Sequence, residues 1–132
     1  MMLITKNQTE RLARNGEHSA AMPDRPCRHR PVVKIFGGPA TWLIAESDPA
    51  DPDRLFGLAD LGMGHPELGW VSRRELEATR VPLRFVSAGA VITKGSVALE
   101  RDRYWKPTAT LMDYWDAAVT AGRIVEPEEV AS

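Results

Sequence analysis

The chain has 132 residues, a formal net charge of -1 and a single cysteine, Cys27. This length predicts one domain with its own core, and 43% hydrophobic with 27% charged residues excludes a disordered, collagen-like or coiled-coil chain. One cysteine excludes a disulfide scaffold, and no apolar run approaches the ~20 residues of a membrane-spanning helix. We therefore expect a cytoplasmic protein that does not engage a membrane.

The near-neutral charge conceals blocks of alternating sign. Residues 1–31 carry +3 and residues 73–106 carry +4, whereas residues 46–69 carry -5 and residues 107–132 carry -4. Either oppositely charged segments lie side by side in the fold, or one face is offered to a polyanion.

The patterns predict a single α+β domain over residues 1–125, a mainly antiparallel β-sheet (meander) with an N-terminal, a short middle and a C-terminal helix packed against it. Thr5 and Gln8 have the spacing of a capping box that starts the first helix, and Asn15-Gly16 is expected to end it. A loop rich in proline and arginine is expected over residues 17–31.

Apolar, β-branched runs on either side of Gly37-Gly38-Pro39 predict a β-hairpin, and two further strands are expected at residues 55–61 and 68–71. The connections between them are short, whereas parallel pairing needs a crossover of a dozen or more residues. The sheet is therefore predicted to be an antiparallel meander.

Ser72 with Glu75 has the capping-box spacing of a helix start, and Pro82 is expected to end that short middle helix. Residues 83–105 are expected to be extended, with turns at residues 87–89 and 94–96.

The last helix is predicted to begin near Thr110, with Asp113 completing its capping box, and to stop at Gly122. The acidic tail, residues 126–132, is expected to fray.

Standard catalytic motifs are absent, because the chain contains neither a phosphate-binding P-loop nor a nucleophile elbow. An enzyme is therefore not the favoured interpretation, and no cofactor is expected. The carboxylates Glu46, Asp60 and Glu67, at the ends of neighbouring predicted strands, are weak catalytic candidates for a small hydrolase or nuclease.

Metal binding is not expected from the spacing of the possible ligands. Cys27 and His29 are separated by one residue, and His18 and His65 are the remaining histidines, which is not a four-ligand zinc pattern.

The most suggestive stretch is residues 97–106. Read as a strand, its alternation places Arg101, Arg103 and Trp105 on one face, and Lys106 follows. Guanidinium groups beside an indole suit single-stranded nucleic acid, in which phosphates need charge and bases need a flat ring. The alternative is a self-neutralising edge strand with Trp105 folded into the core.

A succession of segments across nearly the whole chain resembles the bacterial Domain of Unknown Function 2958 family. The segments are residues 31–36, 40–43, 56–58, 60–62, 66–69 and 100–102, together with the helix over 3–16 and the ending 121–125. The resemblance implies a small protein of plasmids and integrative conjugative elements, a group in which some members are loosely labelled single-strand binding. It implies no catalytic residues.

Two departures from the family pattern stand out. The connection between Pro82 and Glu100 is longer than usual, so an extra hairpin is expected there. His65 stands where a bulky apolar or aromatic residue is expected, which argues against a catalytic role shared by the family.

We therefore expect a non-enzymatic accessory protein of mobile genetic elements that binds a protein or single-stranded nucleic acid. One alternative is an inhibitor of a host defence protein that presents its acidic segment, residues 46–69, in imitation of phosphate spacing. The other is the carboxylate hydrolase or nuclease.

Overall fold

The structure is a computed structural model that describes residues 2–24 and 27–128. In chain order its elements are α1 (Lys6–Ala20), β1 (Val33–Gly37), β2 (Ala40–Asp48), β3 (Asp51–Asp60), β4 (Glu67–Ser72), α2 (Arg73–Ala78), β5 (Arg80–Ser87), β6 (Ala90–Ala98), β7 (Glu100–Arg101) and α3 (Leu111–Ala121). The predicted α+β class is confirmed. Within the described ranges, no helix combines the length and the apolarity needed to cross a bilayer.

Five strands form the main sheet in the order β4-β3-β2-β1-β7, and every neighbouring pair is antiparallel. Consecutive strands from β1 to β4 are neighbours, which confirms the predicted meander. The register between β2 and β3 shifts between Ile44 and Glu46, and such a bulge changes the direction in which the following side chains point.

The two faces of this sheet are covered by different helices. Leu12 of α1 packs in a cluster with Ile44, whereas Tyr114 and Ala118 of α3 pack in a second cluster with Leu43. Successive residues of a strand point to opposite faces, so β2 is buried on both sides. Each of the buried leucine and isoleucine side chains contributes about 1.5–3 kcal/mol.

The first helix does not end at Asn15-Gly16 as predicted but continues to Ala20. Gly16 is buried against β2, where a Cβ atom would lie 1.7 Å from the carbonyl oxygen of Ser47. The Asn15 side chain donates a hydrogen bond to the Ala45 carbonyl at 2.9 Å. The pair therefore docks the helix on the sheet, and the predicted loop starts later than expected.

The start of α2 and the end of α3 follow the local signals. The Ser72 hydroxyl accepts from the Glu75 amide, which confirms the predicted start of α2, and Gly122 ends α3 in the left-handed conformation at φ 75°. Pro82, expected to end the middle helix, lies within β5 instead. Residues 94–96, predicted to turn, lie in β6 at a register shift, because the extra residue is absorbed as a bulge.

The expected extra hairpin is formed by β5 and β6, which pair only with each other among the described strands. They are joined by a tight turn at Ala88 and Gly89, both with positive φ. Val81, at the root of the hairpin, packs against the cluster that contains Ile44. Beyond this root, β5 and β6 are exposed along most of their length.

Candidate binding surface around the β5–β6 hairpin

One face of the hairpin is apolar and uncovered. Strand alternation places Val81, Leu83 and Phe85 on the same side of β5, and Ile92 lies directly opposite Phe85 on β6. Phe85 is 51% exposed and Ile92 is 45% exposed. We call this surface, formed by Leu83, Phe85 and Ile92, the apolar face of the hairpin.

The opposite face has a different character. Arg84 lies across from Thr93, and near the tip Val86 lies across from Val91, with both valines exposed. Between residues 80 and 98 the chain carries two arginines and one lysine and no acidic residue. The hairpin is therefore an amphipathic, cationic ribbon.

A cleft of about 710 Å³ lies at the base of the hairpin. Its walls are apolar where Phe36 and Val97 line it, and charged where Arg101 and Arg103 do. Tyr104 stands at this cleft with 92% of its surface exposed. Acidic side chains line the cleft as well, namely Glu77, Glu100 and Asp102, so its charge is mixed.

Arg101, a predicted nucleic-acid contact, lines this cleft and also secures the N-terminal segment. Its Nη1 donates to the carbonyl oxygens of Met2 and Leu3, each at 3.0 Å. Arg103 and Lys106 are exposed. The interpretation of residues 97–106 as one strand holds only as far as Arg101: β6 ends at Ala98, β7 spans Glu100–Arg101, and the following residues are irregular.

Trp105 is half-buried between the sheet and α3. Its indole Nε1 donates to Glu126 at 2.9 Å, and its ring meets the edge of Tyr114 at a centroid distance of 5.9 Å. Lys34 places its Nζ 5.9 Å from the indole centroid. With Arg101, Trp105 also lines a second, smaller cavity of about 330 Å³, so part of the ring remains accessible.

Glu126 belongs to the tail that was expected to fray, yet its carboxylate is held in place. It accepts hydrogen bonds from Tyr114 at 2.6 Å, from Trp105 at 2.9 Å and from Thr108 at 3.0 Å. Burial acts to raise the pKa of Glu126, but these donated hydrogen bonds outweigh burial and hold the pKa below its ordinary value. Residues 129–132 of the predicted tail lie outside the described residues.

The three candidate catalytic carboxylates do not meet in either cavity. Asp60 accepts from the amides of Gly62 and Ile124, which ties the end of β3 to the C-terminal segment. Glu46 lies opposite Phe56, and Asp60 is four positions further along β3, which is about 13 Å. Glu67 is exposed on β4.

Glu46 instead lies beside Cys27 and His29, a juxtaposition that the sequence spacing does not predict. Each of the three offers one possible metal-ligand atom, and these atoms lie within 4.8 Å of one another. Burial and the neighbouring Glu46 raise the pKa of the Cys27 thiol to about 12. The thiol is therefore protonated at neutral pH and is not a nucleophile in this state.

Sequence reasoning overlooked the apolar face of the hairpin and the exposed aromatic Tyr104. The alternation of Val81, Leu83 and Phe85 in the sequence was a signal for a strand with one apolar side. This alternation does not show whether another helix or strand covers the apolar side of the strand.

The fold and this surface define a small α+β protein with an uncovered, amphipathic β-ribbon. The chain belongs to a family described as "Protein of unknown function (DUF2958)", whose family model matches residues 3–125. Comparisons with the curated proteins and with the solved structures give no match.

Proposed function

We propose that this protein is a non-enzymatic binding protein whose β5–β6 hairpin docks onto a protein partner with an apolar surface edged by acidic groups. The observation that carries the proposal is the uncovered apolar face of Leu83, Phe85 and Ile92. A contiguous exposed apolar surface rimmed by polar residues marks an interaction site in soluble proteins.

The chemistry of the hairpin favours a protein over a nucleic acid as the occupant of this face. An apolar surface gains free energy when apolar atoms cover it, and two of the three side chains of this face, Leu83 and Ile92, are aliphatic and offer no ring on which a base can stack. The hairpin also carries the cations Arg80, Arg84 and Lys94 and no acidic residue, so its net positive charge attracts a partner with acidic groups near the apolar contact.

The backbone of the hairpin supplies a further means of attachment. Among the described residues, no third strand pairs with β5 or β6, so each strand has one free hydrogen-bonding edge. A two-stranded hairpin is only marginally stable alone, and addition of a strand from a partner satisfies its edge.

A phage-displayed random peptide library is the probe that tests this proposal. We expect enrichment of peptides that combine apolar and acidic residues. Their affinity should fall about 30-fold or more for Phe85→Ser/Ile92→Ser, because truncating interface anchors costs about 2 kcal/mol or more. The matched control is Val86→Ser/Val91→Ser, a cross-strand pair on the opposite face of the same strands.

The control variant should retain the enriched peptides. Failure to enrich any peptide, or equal loss of affinity in the two double variants, would contradict docking through the apolar face. A role among mobile genetic elements, which the sequence resemblance implies, belongs to the same proposal.

A second candidate function is the binding of single-stranded nucleic acid at the cleft, and the specific observation is Tyr104. Its ring is 92% exposed, and Arg101 and Arg103 line the same cleft. Stacking of one base on an aromatic ring contributes about 1–3 kcal/mol, and phosphate contacts make affinity fall with salt.

An oligothymidylate probe tests this second candidate. Tyr104→Ala should weaken binding about fivefold or more, since even the lower bound of the stacking energy corresponds to that factor. Tyr104→Phe, which keeps the ring, is the control and should bind normally. Absence of binding at low salt would exclude this candidate and leave the protein partner.

The acidic segment, residues 46–69, receives less support as an inhibitory surface, because several of its carboxylates are engaged within the molecule. Asp48 pairs with Arg54 at 3.0 Å. Asp53 accepts from the Ser72 hydroxyl, and Glu46 is buried.

A further inference from the structure

The geometry points to a site for one divalent transition-metal ion, zinc by its ligand chemistry, formed by the Cys27 sulfur, the His29 Nδ1 and the Glu46 carboxylate. This site lies apart from the hairpin and its cleft, since none of the three residues lines either cavity. It is therefore independent of the proposed docking function.

Each of the three side chains belongs to a segment that contacts the core or the secondary structure of the protein. Glu46 lies on the central strand β2, just after the register shift, and is 5% exposed. His29 lies in the segment before β1, and its carbonyl oxygen accepts from the Leu111 amide at the start of α3, at 2.9 Å. Cys27 packs against the core cluster on the α3 side of the sheet.

The separations fit a metal centre. A tetrahedral zinc ion with bonds of about 2.0–2.3 Å places its ligand atoms about 3.3–3.6 Å apart. The three ligand atoms already lie within 4.8 Å of one another, and His29 Nδ1 lies 2.8 Å from Glu46 Oε2. To admit the ion, His29 Nδ1 and Glu46 Oε2 must therefore move apart by about 0.5 Å.

The last turn of α1 supports the ligands from behind. His29 Nε2 lies 3.0 Å from His18 Nδ1, so when Nδ1 of His29 binds the metal its Nε2–H donates to His18. The Ser19 hydroxyl donates to Glu46 Oε2. Metal-ligating imidazoles and carboxylates commonly have such partners, which orient the ligand and strengthen binding.

The donor set selects the class of metal. Sulfur and imidazole nitrogen suit zinc and the neighbouring transition metals, whereas calcium and magnesium require oxygen ligands. On binding, the sulfur–metal bond replaces the sulfur–hydrogen bond of Cys27, and the proton passes to solvent. Three protein ligands leave a fourth position for water or an exogenous ligand.

Cobalt titration of the full chain, after treatment with a chelator, tests the site by optical absorption. We expect uptake of one Co²⁺ per chain, with a sulfur-to-cobalt charge-transfer band that Zn²⁺ abolishes by displacement. Cys27→Ser should lose that band. His29→Gln and Glu46→Gln each remove a ligand and should weaken binding about 100-fold or more, beyond the loss expected for a supporting partner. The exposed His65→Ala serves as the control and should bind normally.

His18→Ala separates the supporting partner from the ligands, because it should weaken binding about 10–100-fold while the charge-transfer band remains. Circular dichroism of each variant establishes that it is folded, and Cys27→Ser, the most conservative change, decides the matter if Glu46→Gln does not fold. Absence of cobalt uptake, or a charge-transfer band that persists in Cys27→Ser, would overturn the proposal. Phe85→Ser/Ile92→Ser should leave cobalt binding unchanged.

Discussion

The β2–β3 ribbon in the body and the β5–β6 hairpin are built on the same principle, yet they have opposite environments. Both are antiparallel pairs with apolar, β-branched residues, but Ile44 on β2 is fully buried and Ile92 on β6 is 45% exposed. The difference lies in the helices, because α1 and α3 cover the main sheet, whereas Phe85 and Ile92 of the hairpin remain exposed in the part of the chain that the structure describes. The proposed docking function rests on this exposed apolar face, since such a surface marks an interaction site in soluble proteins.

The largest change in the free energy of unfolding is expected when a buried isoleucine of the main sheet is replaced by alanine. The same replacement in the hairpin should have a much smaller effect. Ile35→Ala on β1 removes a side chain with no exposed surface and should lower the free energy of unfolding by about 2–5 kcal/mol. Ile92→Ala should lower it by only about 0.5 kcal/mol, since its side chain is already half in water. Urea unfolding of both variants measures the two changes in the free energy of unfolding. Equal decreases would show that the side chain of Ile92 is covered in the folded protein.

The next largest change in stability is expected at a glycine that packs against another strand, compared with a glycine that has open space beside it. Gly16→Ala places a Cβ atom against the Ser47 carbonyl and should destabilise the protein by about 1–3 kcal/mol, although alanine is the better helix former. Gly69→Ala is the control, because no atom lies within 4 Å of the added Cβ. Thermal unfolding should show a lower melting temperature for the first variant only.

A smaller effect is expected where the C-terminal segment meets Trp105. Glu126→Gln weakens hydrogen bonds that are charge-assisted in the native protein, and should cost about 1–2 kcal/mol at neutral pH. Because folding lowers the pKa of Glu126, its contribution is present above the ordinary pKa of 4.5 and is lost as the pH falls below that value.

The unfolding free energy of the native protein should therefore decline more steeply below pH 4.5 than that of Glu126→Gln. Parallel slopes in the two proteins would contradict this role of the carboxylate. Denaturant titrations at a series of pH values provide the measurement.

The smallest changes in stability are expected from substitutions on the two faces of the β5–β6 hairpin. Neither Phe85→Ser/Ile92→Ser nor Val86→Ser/Val91→Ser should change the unfolding free energy by more than about 0.5 kcal/mol per site. Amides of β5 and β6 should exchange with solvent faster than those of β2 and β3, because few buried contacts oppose local opening of the hairpin. Equal protection of the two ribbons would contradict the contrast.

Features that depend on neighbouring residues were predictable from the sequence. The capping boxes of Thr5 with Gln8 and of Thr110 with Asp113 are formed as expected, and Gly122 adopts the left-handed conformation that its position implies. Each involves a backbone group within four residues, so the spacing alone contains the geometry.

Features that depend on distant residues were not predictable in this way. Gly16 has the appearance of a helix stop in the sequence, but its role comes from Ser47 across the helix–sheet interface. The sequence places Glu126 in a tail that is expected to fray. In the structure its carboxylate accepts hydrogen bonds from Trp105 and Tyr114. A local sequence pattern does not show which distant residue will contact a given position in the folded protein.

By itself, the sequence determined the class of fold, the antiparallel meander and most helix ends, because hydrophobic periodicity and capping act over a few residues. Only the tertiary structure decided which apolar strands are covered, and which of the scattered polar residues meet. Cys27, His29 and Glu46 are brought together because the segment before β1 crosses the end of β2 beside the last turn of α1. That meeting depends on chain topology, and so does the exposure of the hairpin.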